Sequence, residues 1–330
     1  MAWRGVHISN PAKLNFADNQ LVVKQDAGEV RLALEDIAYV VIDAPHVTLS
    51  STLMSACMKA GISLTFTDET HTPCGLAIPF HRHFRQGEIA RLQVAMSEAF
   101  RARLWQVVVR QKVRNQAAAL AICGCPGGQA LAAAAARITP GDAENIEARA
   151  AREFFTRLLG RSFSRTEGSG LANAMLNYGY AIIRSGVARA LTAYGLIPAL
   201  GIKHASQTNA FNLADDMVEP FRPFVDIIVF NMLVGEEIGG NELTIAHRRK
   251  LVSSLLETAS FGREKTTLLI ATERMAESLV QAIESRSPAV LVLPELRPEG
   301  PLPVLPQGAD EELALLEDQG GTEGEGNIPP

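Results

Sequence analysis

Short runs in which apolar and polar positions alternate fill the first eighty residues, and then they stop. In "LNFADNQLVVKQ" (14–25) two such runs flank Asp18-Asn19, the pattern of a hairpin. Residues 30–34 and 37–42, within "EVRLALEDIAYVVID", read as two further strands. A short helix fits 50–60, where Ser50 or Ser51 caps the start and Gly61 ends it. "ISLTFTD" and "GLAIPF" complete a small unit of six to eight strands.

From Glu88 onward the apolar period becomes helical. Ile89, Leu92, Met96, Ala99, Phe100 and Leu104 recur at helix spacing through "EIARLQVAMSEAFRARLWQVVVRQKVRNQ". The loop "CGCPGGQ" precedes the alanine-rich "ALAAAAARI". "TPGDAENIEARAAREFFTRLLG" (139–160) predicts a helix after Pro140-Gly141, with Asp142 as N-cap and acids in the first turn. A long helix over 171–194, ended by Gly195, and helices over 243–256 and 266–285 follow. Strands followed by helices argue for two domains in series, not for alternating βαβ units. The expected fold class is therefore α+β. A small β-rich N-terminal domain (1–80) is joined by a linker (81–87) to a larger all-helical C-terminal domain (88–290). The Pro/Gly-rich acidic tail (291–330) has the composition of a disordered segment.

At 47% hydrophobic and 20% charged, the composition is that of a globular chain. "MAWRGVHISNPAKLNF" holds no apolar run, and "IIVFNMLV" (227–234) is too short to span a bilayer. The expectation is a cytoplasmic protein without a membrane partner. The cysteines are Cys57, Cys74, Cys123 and Cys125; one residue separates the last two and no second pair follows. That spacing disfavours zinc and predicts buried free thiols.

The net charge of −5 conceals an uneven distribution. From residue 296 onward eight acids accompany one base, and without this tail thirty bases outnumber twenty-eight acids. Arg82, Arg85, Arg91, Arg101, Arg103, Arg110, Lys112 and Arg114 lie in one stretch against only Glu88 and Glu98. They are candidate DNA-phosphate contacts, with a solvated helix face as the plainer alternative.

Three segments carry candidate chemistry. In "GIKHASQTNAFNLADDMVEPFRPFVD" (201–226), Asp215 and Asp216 both neighbour Glu219 on a helix, a costly crowding of like charge unless a cation offsets it. A hard divalent cation, Mg2+ or Mn2+, suits such oxygens and the upstream His204. The competing account makes Asp215 or Asp216 an N-cap. Pro220 and Pro223 imply either a late helix start or a kink that aims Glu219. The second segment, "NIEARAAREFF", surrounds Glu147 with small residues; pairing with Arg149 or Arg152 is the ordinary expectation there. The third, "GLANAMLNYGYAIIRSG", places Asn173, Asn177, Tyr178 and Tyr180 on a largely apolar helix, where each needs a partner.

Together "IEARAAREFFTRLLG", "LNYGY", "GIKHAS" and "FNLADDMVEPFRPFVD", in this order and spacing, resemble the integrase and endonuclease of CRISPR adaptation, most closely its type II branch. The resemblance covers about residues 1–290 and not the tail. It implies a metal-dependent DNA enzyme that inserts foreign DNA as new spacers. The 3′-OH of an incoming fragment would attack the repeat phosphodiester, with hydrolysis as a side activity. It assigns Glu147, His204 and Glu219 as catalytic metal ligands for Mg2+ or Mn2+, and Asp216 as an accessory acid. Asn177 and Tyr178 become second-layer or DNA-contacting residues, and Lys203 a candidate phosphate contact. Implied partners are double-stranded DNA (fragment and repeat), a second copy through the β-rich domain, and a small second adaptation subunit in a heterohexamer. The type II effector nuclease and a ring-forming accessory subunit complete the set. No G-x-S-x-G or phosphate-cradling glycine loop competes with this. The rivals are a general metal-dependent repair nuclease and a non-catalytic DNA-binding scaffold.

Overall fold

The computed structural model describes residues 4–79, 83–165, 170–235, 242–262 and 264–298. Arg82, one of the expected phosphate contacts, and residues 299–330 of the tail lie outside the described residues.

Eight strands precede the first long helix. They are β1 (Arg4–Ile8), β2 (Ala12–Ala17), β3 (Gln20–Gln25), β4 (Gly28–Ala33), β5 (Ile37–Ile42) and β6 (Val47–Leu49), then, after helix α1 (Ser51–Ala60), β7 (Ser63–Thr67) and β8 (Pro73–Ala77). Two four-stranded sheets result, ordered β4-β3-β2-β6 and β1-β5-β7-β8. The predicted hairpin joins β2 to β3, and Asp18 and Asn19 both take positive φ (50° and 56°), as a two-residue turn of this hand requires. Ser50 caps α1 by accepting from Leu53 N, and Gly61 ends it in the left-handed region.

β5 ties the two domains together. Its run "IAYVVI" is buried on both faces, as a central strand flanked by parallel neighbours should be. Ile37, Val40 and Ile42 face the strand core with Leu14, Leu53 and Leu64, while Ala38, Tyr39 and Val41 join the helical core. The Tyr39 ring lies over Gly5, where an added Cβ would collide with it, and its hydroxyl donates to Val252 O at 2.8 Å.

The predicted stretch over 88–116 is two helices, α2 (Gln86–Val94) and α3 (Glu98–Ile122). The chain breaks at Ala95–Ser97 because the Ser97 hydroxyl accepts from Phe100 N and starts a new helix. Next come α4 (Gly128–Arg137), α5 (Ile146–Leu159) and α6 (Leu171–Ala193). α5 begins four residues later than Asp142, which still serves its N-terminus by accepting from Ile146 N (3.0 Å) and Glu147 N (2.9 Å). Helices α7 (Asn212–Val218) and α8 (Arg222–Gly235) are joined by a 3₁₀ turn over Glu219–Phe221, so Pro220 lies in a tightened turn while Pro223 lies in the first turn of α8. α9 (Ile245–Val252) leads to a short antiparallel hairpin, β9 (Thr258–Phe261) and β10 (Glu264–Thr267), then α10 (Leu268–Ser285). That hairpin corrects the expectation of an all-helical domain; "TASF" and "EKTT" carry the β-branched and aromatic residues that strands favour.

Of the four thiols expected to be buried, only one is. Cys57 is buried, Cys123 and Cys125 are half-buried, and Cys74 is exposed on β8; all four are free. Among the described residues no helix is long and apolar enough to cross a membrane.

Candidate active site

Lys112 reaches from α3 to the junction of α5 and the 3₁₀ turn. Its Nζ lies 2.6 Å from Glu147 Oε1 and 2.6 Å from Glu219 Oε2. The ammonium thus bridges two carboxylates that are distant in sequence. Lys112 and Glu219 are buried, their side chains 10% and 6% exposed, while Glu147 and Arg222 remain partly open at 24% and 31%. Arg222 holds the other oxygen of Glu219 at 3.1 Å. Burial works against the Glu219 charge, but Lys112 and Arg222 outweigh it and keep the carboxyl below its ordinary range. Burial likewise opposes the charge on Lys112, and Glu219 and Glu147 more than reverse that, so the amine stays protonated.

Glu147 therefore does not pair with Arg149 or Arg152 as expected; Arg149 lies nearer Glu144, at 3.9 Å. The turn carrying Glu219 is clamped from α3 by Asn115, whose amide donates to Pro220 O (2.7 Å) and Pro294 O (2.9 Å). Proline carbonyls without helix partners are satisfied in this way.

Asp216 is fully buried and faces the loop that follows α6, not Glu219. It accepts from Ile202 N (2.6 Å), Lys203 N (3.0 Å), His204 N (3.1 Å) and His204 Nδ1 (2.7 Å). Gly201 permits this wrap, since a Cβ there would collide with His204 O and stand 2.9 Å from Asp216 Oδ2. Gln93 and Asn212 bind further carbonyls of the same loop. With Nδ1 engaged, Nε2 of His204 is left for a ligand. The Asp216 hydrogen bond chiefly raises the His204 pKa, against partial burial. Asp215 serves Arg184 (2.5 Å) and Asn209 (2.6 Å). Neither aspartate caps α7, whose N-terminal flank is Phe211.

Beyond Arg222 the polar network continues inward. Tyr180 lies under the guanidinium groups of both Arg222 (4.8 Å) and Arg165 (5.6 Å), and its hydroxyl donates to the buried Asp226. Burial pushes Asp226 up to about 7. Arg165 also binds Asn173 (2.5 Å) and the exposed Asn177 (2.7 Å), which links Asn177 to the cluster through two cation–ring contacts.

Tyr178 sits elsewhere. It is 2% exposed, and its phenol faces Asp43 and Arg248 at the seam with the strand domain. A hydroxyl so placed reaches neither solvent nor a DNA phosphate. At that seam Asp43, at the end of β5, accepts from Arg248 Nε (2.6 Å), His7 Nε2 (2.8 Å) and His71 Nδ1 (2.9 Å).

The basic stretch divides by use. Lys112 belongs to the carboxylate cluster and is no surface phosphate contact in this conformation. Arg110 donates to Ile138 O (2.7 Å) at the end of α4, and Arg85 is held by Glu88 and Glu284. Arg101 is half-buried, while Arg91, Arg103 and Arg114 are exposed; the last two share a face of α3 at helical spacing. Lys203 is exposed, with Nζ 3.5 Å from Gly141 O. Lys112, Arg222, Asn115 and Asp43 hold these networks together, and sequence alone placed them wrongly or missed them. Arg222 had a signal, standing three residues after Glu219.

Among the described residues no three His, Cys, Asp or Glu side chains converge as a ready-made metal cluster. The donors still suit one: two carboxylates already share a cation, and an imidazole with a fixed Nδ1 stands in the electrostatic range of Glu219.

A family model described as CRISPR associated protein Cas1 matches residues 6–254. The chain belongs to the Cas1 family. The CRISPR-associated endonuclease Cas1 of Neisseria meningitidis serogroup C (strain 8013) is 36% identical over 299 residues, covering 90% of this chain and 98% of that protein. A Pyrobaculum aerophilum relative, CRISPR-associated endonuclease Cas1 2, is 25% identical over 288 residues, covering 82% and 96%. Among solved structures, a casposase bound to integration product has a TM-score of 0.72 at 16% identity, covering 96% of this chain and 99% of that one. A Cas1 protein from Thermotoga maritima has a TM-score of 0.68 at 15% identity, covering 85% and 97%. These two share the fold of a strand-rich domain followed by a helical one. Glu147, His204, Asp216 and Glu219 all lie within the range that matches Cas1, whereas β9, β10 and α10 lie beyond it.

Proposed function

We propose that this Cas1-family chain is a metal-dependent DNA integrase and endonuclease that inserts DNA fragments as new spacers into a CRISPR array. One observation carries the reading. Glu147 and Glu219, far apart in sequence, converge on a single positive charge, and a histidine whose Nδ1 is already held stands in the electrostatic range of Glu219. Glu147, Glu219 and His204 Nε2 would hold Mg2+ or Mn2+. Held there, such an ion would supply Lewis-acid chemistry at the scissile phosphate and its leaving 3′ oxygen.

The chain's own groups do the rest. Asp216 fixes the His204 ring and its loop, and Arg222 orients Glu219. Arg91, Arg103, Arg114 and Lys203 supply positive charge for backbone phosphates without reading bases. The 3′-hydroxyl oxygen of the incoming strand attacks phosphorus as the repeat's P–O3′ bond breaks. The attacking hydroxyl loses its proton to solvent and the leaving 3′ oxygen gains one, so the number of phosphodiesters is unchanged. Water in place of the 3′-OH gives hydrolysis.

Partners follow the same reading. A casposase described with its integration product and a Cas6-RT-Cas1–Cas2 complex (TM-score 0.69, 18% identity) support double-stranded DNA and a Cas2-type subunit as partners. We extend this to a homodimer through the strand domain, a heterohexamer with that subunit, engagement by the type II effector nuclease and ring-forming subunit, and action in the cytoplasm.

The test is strand transfer of a duplex with free 3′-OH ends into repeat-bearing plasmid, with the second subunit present. It is run with Mn2+, Mg2+ or EDTA, on wild type and on folded Glu147→Ala, His204→Ala and Glu219→Ala. Metal-dependent joining abolished in each variant supports the reading. Joining that survives all three substitutions overturns the site. Metal-dependent cutting without repeat or second subunit points to the repair-nuclease alternative, and DNA binding without any reaction to a scaffold.

A further inference from the structure

Lys112 plays no part in the reaction just described, yet it holds the central position in the cluster. Its Nζ contacts one oxygen of each carboxylate at 2.6 Å, while Arg222 takes the second oxygen of Glu219. Two acids and two bases make the cluster electrically neutral as it stands. Lys112 and Glu219, at its centre, are shielded from water, so a charge added beside them would be poorly screened. A divalent cation joining all four groups would leave an excess of two positive charges beside the buried Lys112 and Glu219. Such an excess is relieved only if a base departs or an anion arrives.

The two bases differ in their freedom to leave. Arg222 is stacked over the Tyr180 ring and lies near Asp226, with a rigid planar head. Lys112 carries a compact ammonium on a flexible four-carbon stem, and its ion-pair partners are the two carboxylates themselves. Once a divalent ion takes those oxygens, the ammonium has no anion of its own left in the cluster. The phosphate of a bound DNA strand supplies one.

We propose that Lys112 is a resident counter-cation: a divalent ion loads between Glu147 and Glu219 only by displacing its ammonium, and loading is thereby coupled to the arrival of a DNA phosphate. Lys112 is on this account a positioning residue that keeps the carboxylates together before metal and makes metal binding without DNA weak. The inference rests on the metal reading above and adds the order and coupling of the two binding events.

Direct binding measurements separate the two. Mn2+ is titrated by calorimetry, without DNA, into wild type, Lys112→Met, Glu147→Gln and the Lys112→Met/Glu147→Gln double variant. Lys112→Met keeps the apolar stem and removes the charge, so it should bind Mn2+ about tenfold or more tightly than wild type. The double variant should lose that gain. In wild type, adding a duplex with 3′-OH ends should tighten Mn2+ binding by a similar factor. A second readout needs no variant: acetic anhydride labelling of wild-type lysines, followed by peptide mass spectrometry. Lys112 should be protected without metal and become labelled at saturating Mn2+.

Equal or weaker Mn2+ binding by folded Lys112→Met, with wild-type binding still lost in Glu147→Gln, overturns this inference and leaves the metal reading standing. Absence of Mn2+ binding that depends on Glu147 in both wild type and Lys112→Met overturns the metal reading and this inference with it. If Lys112→Met does not fold, the labelling decides, and a Lys112 that stays protected at saturating Mn2+ refutes the displacement.

Discussion

Asp216 and His204 form one unit: the carboxylate binds His204 Nδ1 at 2.7 Å and, with the same two oxygens, the backbone N–H groups of Ile202, Lys203 and His204. An acid placed one turn before Glu219 thus serves the loop that carries His204 and leaves Glu219 to Lys112 and Arg222. Asp216→Asn turns one acceptor oxygen into an N–H donor facing these donors. A ligand that loses its outer support typically costs about 10–100-fold in metal affinity or activity. Asp216→Asn should show that loss in Mn2+ titration while circular dichroism stays native. An unchanged Mn2+ affinity would remove Asp216 from the site's support.

Asp226 predicts an unusual pH dependence of stability. Its folded pKa, raised by burial to about 7 from an ordinary 3.8, means the neutral form is the one the fold accommodates. Stability from this group is complete below 3.8 and is lost as pH rises through about 7. Asp226→Asn, which keeps an acceptor for Tyr180, should raise the melting temperature above pH 7, by about 2–4 kcal/mol in free energy. The two proteins should converge only below 3.8. Parallel pH curves would show that Asp226 does not titrate as described.

Asp43 should behave in the opposite sense. Burial opposes its charge, but hydrogen bonds from His7, Arg248 and His71 prevail and hold its pKa at about 2 instead of 3.8. Its contribution is therefore present above 3.8 and disappears as pH falls through about 2. Asp43→Asn should cost about 3–5 kcal/mol at neutral pH, since Arg248 is left buried without its anion. Urea unfolding across this acid range should show the difference shrinking. A constant difference would locate its stabilising role elsewhere.

Removing residues 299–330 deletes eight acids and no base, which moves the formal charge from −5 to +3. The truncated chain should bind duplex DNA more tightly at low salt, with the gain fading as ionic strength rises. Fluorescence anisotropy on a labelled duplex at two salt concentrations measures this. Arg103→Glu and Arg114→Glu in the same truncated chain should reduce the salt slope, by roughly one for each phosphate no longer neutralised. An unaltered slope would move the DNA path off this face of α3.

Much of the outline could be read from local pattern alone. Asp18-Asn19 specified the hairpin because two consecutive residues must accept positive φ there, and Ser50 and Gly61 bounded α1 by satisfying orphan backbone groups. The order of the segments around Glu147, His204 and Glu219 pointed to one site through family resemblance, because those residues sit in segments whose wording is specific. The β9–β10 hairpin escaped because two four-residue strands carry too little periodicity to outweigh a helical context.

What the sequence determined by itself was where most of the helices and strands lie and which residue types each face presents, since those choices depend on neighbours three or four positions away. Tertiary structure alone decided who meets whom. Lys112 belongs by composition to a basic surface, yet packing α3 against α5 and the Glu219 turn sends its ammonium inward to two acids. Tyr178 and Tyr180 stand two residues apart on α6, and that offset of about 200° directs one phenol to Asp43 and the other to Asp226. A buried charge is stable only beside a specific counter-charge, and which counter-charge is available is fixed by how the helices pack.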